Sequence, residues 1–215
     1  MGPMSDSKQP GLDDAYALSG AEDARRLYAD WAETYDSDFA EANAYRPPEV
    51  VARLFAEAGG TGPVLDAGAG TGLGGLALAA RGIGPLDALD LSPEMLSVAA
   101  RKGVYRELIE GDILAGLAIA DGAYAGVVSA GTFTLGHVGP EGFDELLRVA
   151  APGALLVISV NARAYESDGF AAKMETLAPA IEGLATVEEP IYGPGATGPH
   201  AGDMARVLSF RKRPA

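Results

Sequence analysis

The stretch LDAGAGTGLGG, residues 65–75, places five glycines in eleven positions directly after an acid. A short apolar run, PVLDA, leads into it and a helical stretch, GLALAARG, follows, so the glycines form the turn between a strand and a helix. In open α/β sheets that turn lies at the carboxyl edge of the strands, where ligands bind. Glycine costs conformational entropy wherever it is ordered. So many in one short connection mark a place where backbone must approach a ligand closely.

Outward from this turn the chain alternates short apolar runs with helical ones. LDALDL, VYRELIEG, AYAGVVSAG and PGALLVISVN read as strands, and SPEMLSVAARKG and PEGFDELLRVA as the helices between them. SPEMLSVAARKG is marked at both ends: Ser92 is a good N-cap, Pro93 suits the first helical position, Arg101 and Lys102 fall in the last turn, and Gly103 stops it. Farther on, SDGFAAKMETLAPAIEG predicts a helix with Phe170, Met174, Leu177 and Ile181 facing inward. LATVEEPIYG and DMARVLSFRKR predict a closing antiparallel pair across a turn-rich loop. The expected fold is α/β: a Rossmann-like seven-stranded sheet, mostly parallel with an antiparallel last strand, helices on both faces and an N-terminal helical lid.

Residues 1–18 read as a flexible tail and 19–213 as one domain, with the lid at 19–60. Within the lid, Ala24, Leu27, Trp31 and Tyr35 recur at helical spacing, and a second helix follows Pro47-Pro48. The intervening YDSDFAEANAYRPP reads as too polar for core. The chain of 215 residues carries a net charge of −14, which opposes nucleic acid or any other polyanion. It has no Cys, which rules out thiol nucleophiles and Cys-ligated metal and fits a cytoplasmic setting. No apolar run approaches the ~18 residues of a membrane span, and the oligomeric state is left open.

Two ligand classes suit the glycine turn. Gly70, Gly72 and Gly75 match G-x-G-x-x-G with Asp90 downstream, as a dinucleotide site would. Against that, a carboxylate at Asp66 would repel pyrophosphate and welcome a ligand with an amino group. Asp66-x-Gly68-x-Gly70-x-Gly72, Asp90 at the second strand end and Gly111-Asp112-Ile113 together resemble the class I S-adenosylmethionine-dependent methyltransferases. Residues 30–51 resemble, more narrowly, the methyltransferase-like proteins named for the Williams–Beuren region. The resemblance implies S-adenosylmethionine as cofactor, S-adenosylhomocysteine as product and no metal. It implies a cofactor set of Tyr35, Arg46, Asp66, Gly68, Ala69, Gly70, Gly72, Asp90, Leu91, Met95, Asp112, Ile113 and Ser129. In that set Asp66 would hold the ammonium, Asp90 the ribose hydroxyls and Asp112 the adenine amino group, while Arg46 would lie near the carboxylate.

The methyl acceptor is expected to be a small molecule, with a protein as the alternative. The fourth strand ends Ser129-Ala130-Gly131, unlike the turn of amino-methylating nucleic-acid enzymes, and without Cys there is no carbon-5 cytosine chemistry. The candidate general bases are the only two histidines, His137 after the fourth strand and His200 between the last two. Neither stands in a metal-ligating pattern. An NAD(P)-dependent oxidoreductase would need a catalytic pair such as Tyr-x-x-x-Lys, which is absent. A non-catalytic cofactor-binding protein on the same fold is the remaining alternative.

Overall fold

The computed structural model describes Ala15 and residues 20–214. The tail expected over residues 1–18 therefore lies, Ala15 apart, outside the described residues. The strands are β1 (Val64–Ala67), β2 (Leu86–Asp90), β3 (Glu107–Glu110), β4 (Tyr124–Phe133), β5 (Ala150–Asn161), β6 (Ile181–Pro190) and β7 (Met204–Lys212). They form one sheet in the order β3-β2-β1-β4-β5-β7-β6. Strands β1 to β5 pair in parallel, and β7 runs antiparallel between β5 and β6, as the sequence predicts. Strand order reverses between β1 and β4, which opens a crevice at their carboxyl ends.

The helices are α1 (Ala21–Trp31), α2 (Pro47–Glu57), α3 (Leu73–Ala79), α4 (Pro93–Arg101), α5 (Gly142–Val149), α6 (Ala162–Ser167) and α7 (Phe170–Leu177). Period-two alternation sends Leu65, Val127, Leu156 and Phe210 to one face of the sheet, under Phe143 and Leu146 of α5 and Phe170 and Met174 of α7. Val64, Val128, Leu155 and Val207 face the other way, against Val51 and Phe55 of α2 and Leu78 of α3. Burial on both faces explains why these strands read as continuous apolar runs. The Ser92 hydroxyl accepts from the Met95 N–H at 3.2 Å, the cap expected for α4. Among the described residues no helix is long and apolar enough to cross a membrane.

Two expectations are corrected. The helix predicted across residues 167–183 breaks at Gly169, resumes as α7 and stops at Leu177, and Ile181 opens β6 instead. The segment read as too polar for core forms a π-helical turn, Tyr35–Glu41, with Phe39 and Ala40 buried. Its i→i+5 hydrogen bonds widen the turn beyond 3.6 residues, which conceals the apolar side from a search at that period. Trp31 stands beside it, 5.2 Å ring to ring from Tyr35 and 5.3 Å from Phe39, and its indole N–H has no hydrogen-bond partner among the described residues.

Candidate functional site

The crevice holds a cavity of about 210 Å³, more than ten times the ~10–15 Å³ that one water needs. Its floor is the first half of the glycine turn. The Gly70 N–H donates to Asp90 Oδ2 at 2.7 Å, and the Ser92 N–H donates to Oδ1 at 2.9 Å. The Leu91 N–H bonds the same carboxylate, so three backbone amides occupy three of its roughly four lone-pair sites and leave one for a ligand. Burial raises the Asp90 pKa, and these amides oppose the rise. Gly68 has φ +73°, and a Cβ there would lie 1.9 Å from Thr132 Oγ1, so only glycine lets β4 close on the turn.

Leu91, Met95, Asp112 and Ile113 line the side wall, with Asp112 Oδ1 accepting from the Leu114 N–H at 2.8 Å. Tyr28 of α1, Tyr35 and Tyr45 form the roof, and Thr132 and His137 the far wall. His137 Nδ1 lies 2.9 Å from the Leu135 carbonyl, which can only accept, so Nδ1 carries the proton and Nε2 a lone pair. The Tyr28 hydroxyl, 2.8 Å from Nε2, is then the donor. Burial lowers the His137 pKa and keeps the ring neutral.

Of the residues expected to bind cofactor, the cavity brings together Tyr35, Gly68, Gly70, Asp90, Leu91, Met95, Asp112 and Ile113, with His137 across from them. Ala69 and Gly72 lie beneath the turn instead, Ala69 packed with Ala88 and Leu96, Gly72 against Tyr105 and Ala99. Ser129 is fully buried and donates to the Ala67 carbonyl at 2.7 Å. The Arg46 guanidinium pairs with Glu189 at 3.6 Å, outside the lining. His200 meets Asp203 at 3.1 Å on the loop before β7, away from the cavity.

Asp66 is the most informative displacement. It shares the parity of Val64 and so points under α3, where it is 1% exposed and accepts from the Tyr105 hydroxyl at 2.6 Å. That hydroxyl accepts in turn from the Gly75 N–H at 3.0 Å. A Cβ on Gly74 would lie 2.9 Å from Asp66 Oδ2, and one on Gly75 2.3 Å from the Tyr105 ring. The glycine run therefore serves two purposes: Gly68 and Gly70 face the cavity, whereas Gly72, Gly74 and Gly75 make room for the Asp66–Tyr105 pair. Tyr28 and Tyr105 were not foreseen, whereas Tyr45 was expected in the lid and Thr132 in the loop after the fourth strand. Tyr28 sits one residue from the apolar stripe of its helix, and Tyr105 is isolated in a loop.

Comparison with known proteins accords with this geometry. Residues 64–153 match the family model described as a methyltransferase domain. No curated protein matches the sequence significantly. Among solved structures, the chain resembles the [4+2]-cyclase SpnF, with TM-score 0.65, 16% identity, and 92% of this chain and 98% of that one covered. It also resembles the Burkholderia thailandensis 1,6-didemethyltoxoflavin-N1-methyltransferase, solved with 1,6-didemethyltoxoflavin and S-adenosylhomocysteine, at TM-score 0.57 and 20% identity over 89% of each chain. A third likeness, TM-score 0.60 and 19% identity over 87% of this chain and 98% of the other, is to the chain complexed with the Trm112 methyltransferase activator of Haloferax volcanii. At these identities the likeness is one of fold: the Rossmann-like fold of S-adenosylmethionine-dependent methyltransferases.

Proposed function

We propose that the protein transfers a methyl group from S-adenosylmethionine to a small-molecule acceptor. The observation that carries this reading is the convergence of Gly68, Asp90 and Asp112, from three successive strand ends, on one cavity. The residues fit the cofactor better than a dinucleotide. Two carboxylates in the lining oppose pyrophosphate, while Asp90, with acceptor capacity left after its three amides, suits a ribose hydroxyl. Asp112 accepts from the adenine amino group, and Leu91, Met95 and Ile113 bracket the ring. Asp66, closed off by Tyr105, acts through the shape of the turn and makes no contact with the ligand. The narrower likeness to the Williams–Beuren-region proteins rests on residues 30–51 of the sequence.

The chemistry the cofactor would supply is a methyl carbon on a sulfonium, taken by an acceptor lone pair while the C–S electron pair stays on sulfur. The chain's own part is to orient the acceptor, exclude water under the tyrosine roof and take up a proton. His137 takes that proton at Nε2, directly or by relay through the Tyr28 hydroxyl.

The fold is shared with a cyclase, so binding and turnover are tested separately. Calorimetry should show S-adenosylhomocysteine binding at micromolar strength, about −8 kcal/mol, and NAD binding at least a hundredfold weaker. A metabolite panel should then drive release of S-adenosylhomocysteine from S-adenosylmethionine. Tighter binding of NAD would sink the reading.

A further inference from the structure

A second, smaller chamber of about 60 Å³ lies behind the roof of the first cavity. Tyr28, Tyr35, Tyr45, Gly131 and His137 line both, so these residues are the partition between them. We propose that this chamber is the methyl-acceptor site and that it takes a small, uncharged planar ring bearing an O–H or N–H donor. The inference rests on the methyltransferase reading and names the substrate class that reading leaves open.

Three observations carry it. The first is charge: among the described residues no Asp, Glu, Lys or Arg lines the chamber. A buried charge without a partner costs several kcal/mol, so phosphates, carboxylates and lysine or arginine side chains are poor occupants. A neutral ring suits its aromatic walls, where Phe39 stands 5.1 Å from Tyr45 and 6.1 Å from Tyr192, ring to ring.

The second is unmet polarity. The Tyr35 and Tyr45 side chains make no hydrogen bond among the described residues, although both rings sit in the partition. Their phenols crowd each other and those of Tyr28 and Tyr192, which together with burial raises both pKa values and keeps them protonated. Both residues are half-buried, and a ligand with one polar edge would give their hydroxyls a partner. Gly131 makes the geometry possible: it has φ +85°, and a Cβ would lie 2.0 Å from the Tyr45 hydroxyl.

The third is the direction of the donor. His137 Nε2 faces the partition as an acceptor and is met there by the Tyr28 hydroxyl. A ligand in the chamber therefore finds a lone pair that it must answer with a donor, through Tyr28 or in its place.

Four one-ring probes test this on the full chain, with and without saturating S-adenosylhomocysteine: phenol, anisole, benzoate and benzylamine. Binding is read by calorimetry and by amide shifts at Gly131 and His137. Phenol should bind and shift both amides, anisole about fivefold more weakly, and benzoate and benzylamine at least tenfold more weakly. Tyr45→Phe and Tyr35→Phe should each weaken phenol about fivefold, and should weaken it more than they weaken S-adenosylhomocysteine. Gly131→Ala should abolish phenol binding; because that variant strains the backbone, the tyrosine variants decide the matter if it fails to fold. Normal S-adenosylhomocysteine binding with no phenol binding, or with a charged ring preferred, overturns the acceptor proposal and leaves the methyltransferase reading standing. Absence of S-adenosylhomocysteine binding overturns the reading itself.

Discussion

Tyr105 serves two partners with one hydroxyl, donating to Asp66 and accepting from the Gly75 N–H. Hydrogen bonds to a charged group are worth ~1.5–3 kcal/mol, so Tyr105→Phe should destabilise the protein by that order. Because Gly75 belongs to the first turn of α3, the variant should also raise KM for S-adenosylmethionine more than it changes kcat, since it loosens the floor of the site. A loss of stability with unchanged cofactor KM would make Tyr105 a packing residue alone. Asp66 carries a pH signature. Burial pushes its pKa from 3.8 up to about 6. Between those values the folded protein holds a proton that the unfolded chain has released, so this carboxyl's contribution to stability falls as pH rises through the window. Urea unfolding should show Asp66→Asn gaining on the native protein by about 2–3 kcal/mol from pH 4 to pH 7, and a constant difference would mean that Asp66 ionises normally. At Asp90 the structure adds a cost that the sequence does not reveal. Asp90→Ala should lose S-adenosylhomocysteine affinity and, because it orphans the Gly70 and Ser92 amides, should also lower the melting temperature.

At the scale of elements, the roof is tied to the floor. The Asp36 carboxylate, in the π-helical turn, accepts from the Thr71 hydroxyl of the glycine run and from Lys102 at the end of α4 at 2.5 Å. Lys102 is only 13% exposed, so the pair is partly shielded from salt and water. Asp36→Ala should speed hydrogen exchange over residues 33–47 and weaken S-adenosylhomocysteine several-fold, and unchanged exchange would show that the aromatic packing alone holds the roof. Arg46 is a different case. Its partner Glu189 is shared with Arg53, and its side chain is 42% exposed. Exposed pairs contribute little, so Arg46→Ala should leave both the melting temperature and cofactor affinity nearly unchanged. A marked loss of affinity would return Arg46 to the ligand's carboxylate.

Across the whole molecule the excess of acid dominates at long range. With a net charge of −14, raising NaCl from about 10 to 150 mM shortens the Debye length from ~30 to ~8 Å. This should relieve self-repulsion and raise the melting temperature by a few degrees, whereas a fall would show that the surface ion pairs outweigh the repulsion. The fold was legible at this scale because both determinants are local: apolar runs of strand length, and a glycine turn followed by a capped helix. Asp90 and Asp112 were legible for the same reason, each standing at the end of a readable strand. What escaped depends on which way a side chain leaves its element. Asp66 looks like a ligand contact until strand parity turns it beneath α3, and Phe39 looks solvated until the π-helical turn brings it inward. Tyr28 carries no local signal that separates a pocket wall from ordinary core. One consequence concerns light. The chain's single indole, Trp31, sits buried in the aromatic roof, its N–H without a hydrogen-bond partner among the described residues. Its emission should therefore be blue with the roof shut and shift to the red when water reaches it, which gives the protein a built-in optical clock. Stopped-flow mixing with ligand could then time closure on the native chain, without any attached dye.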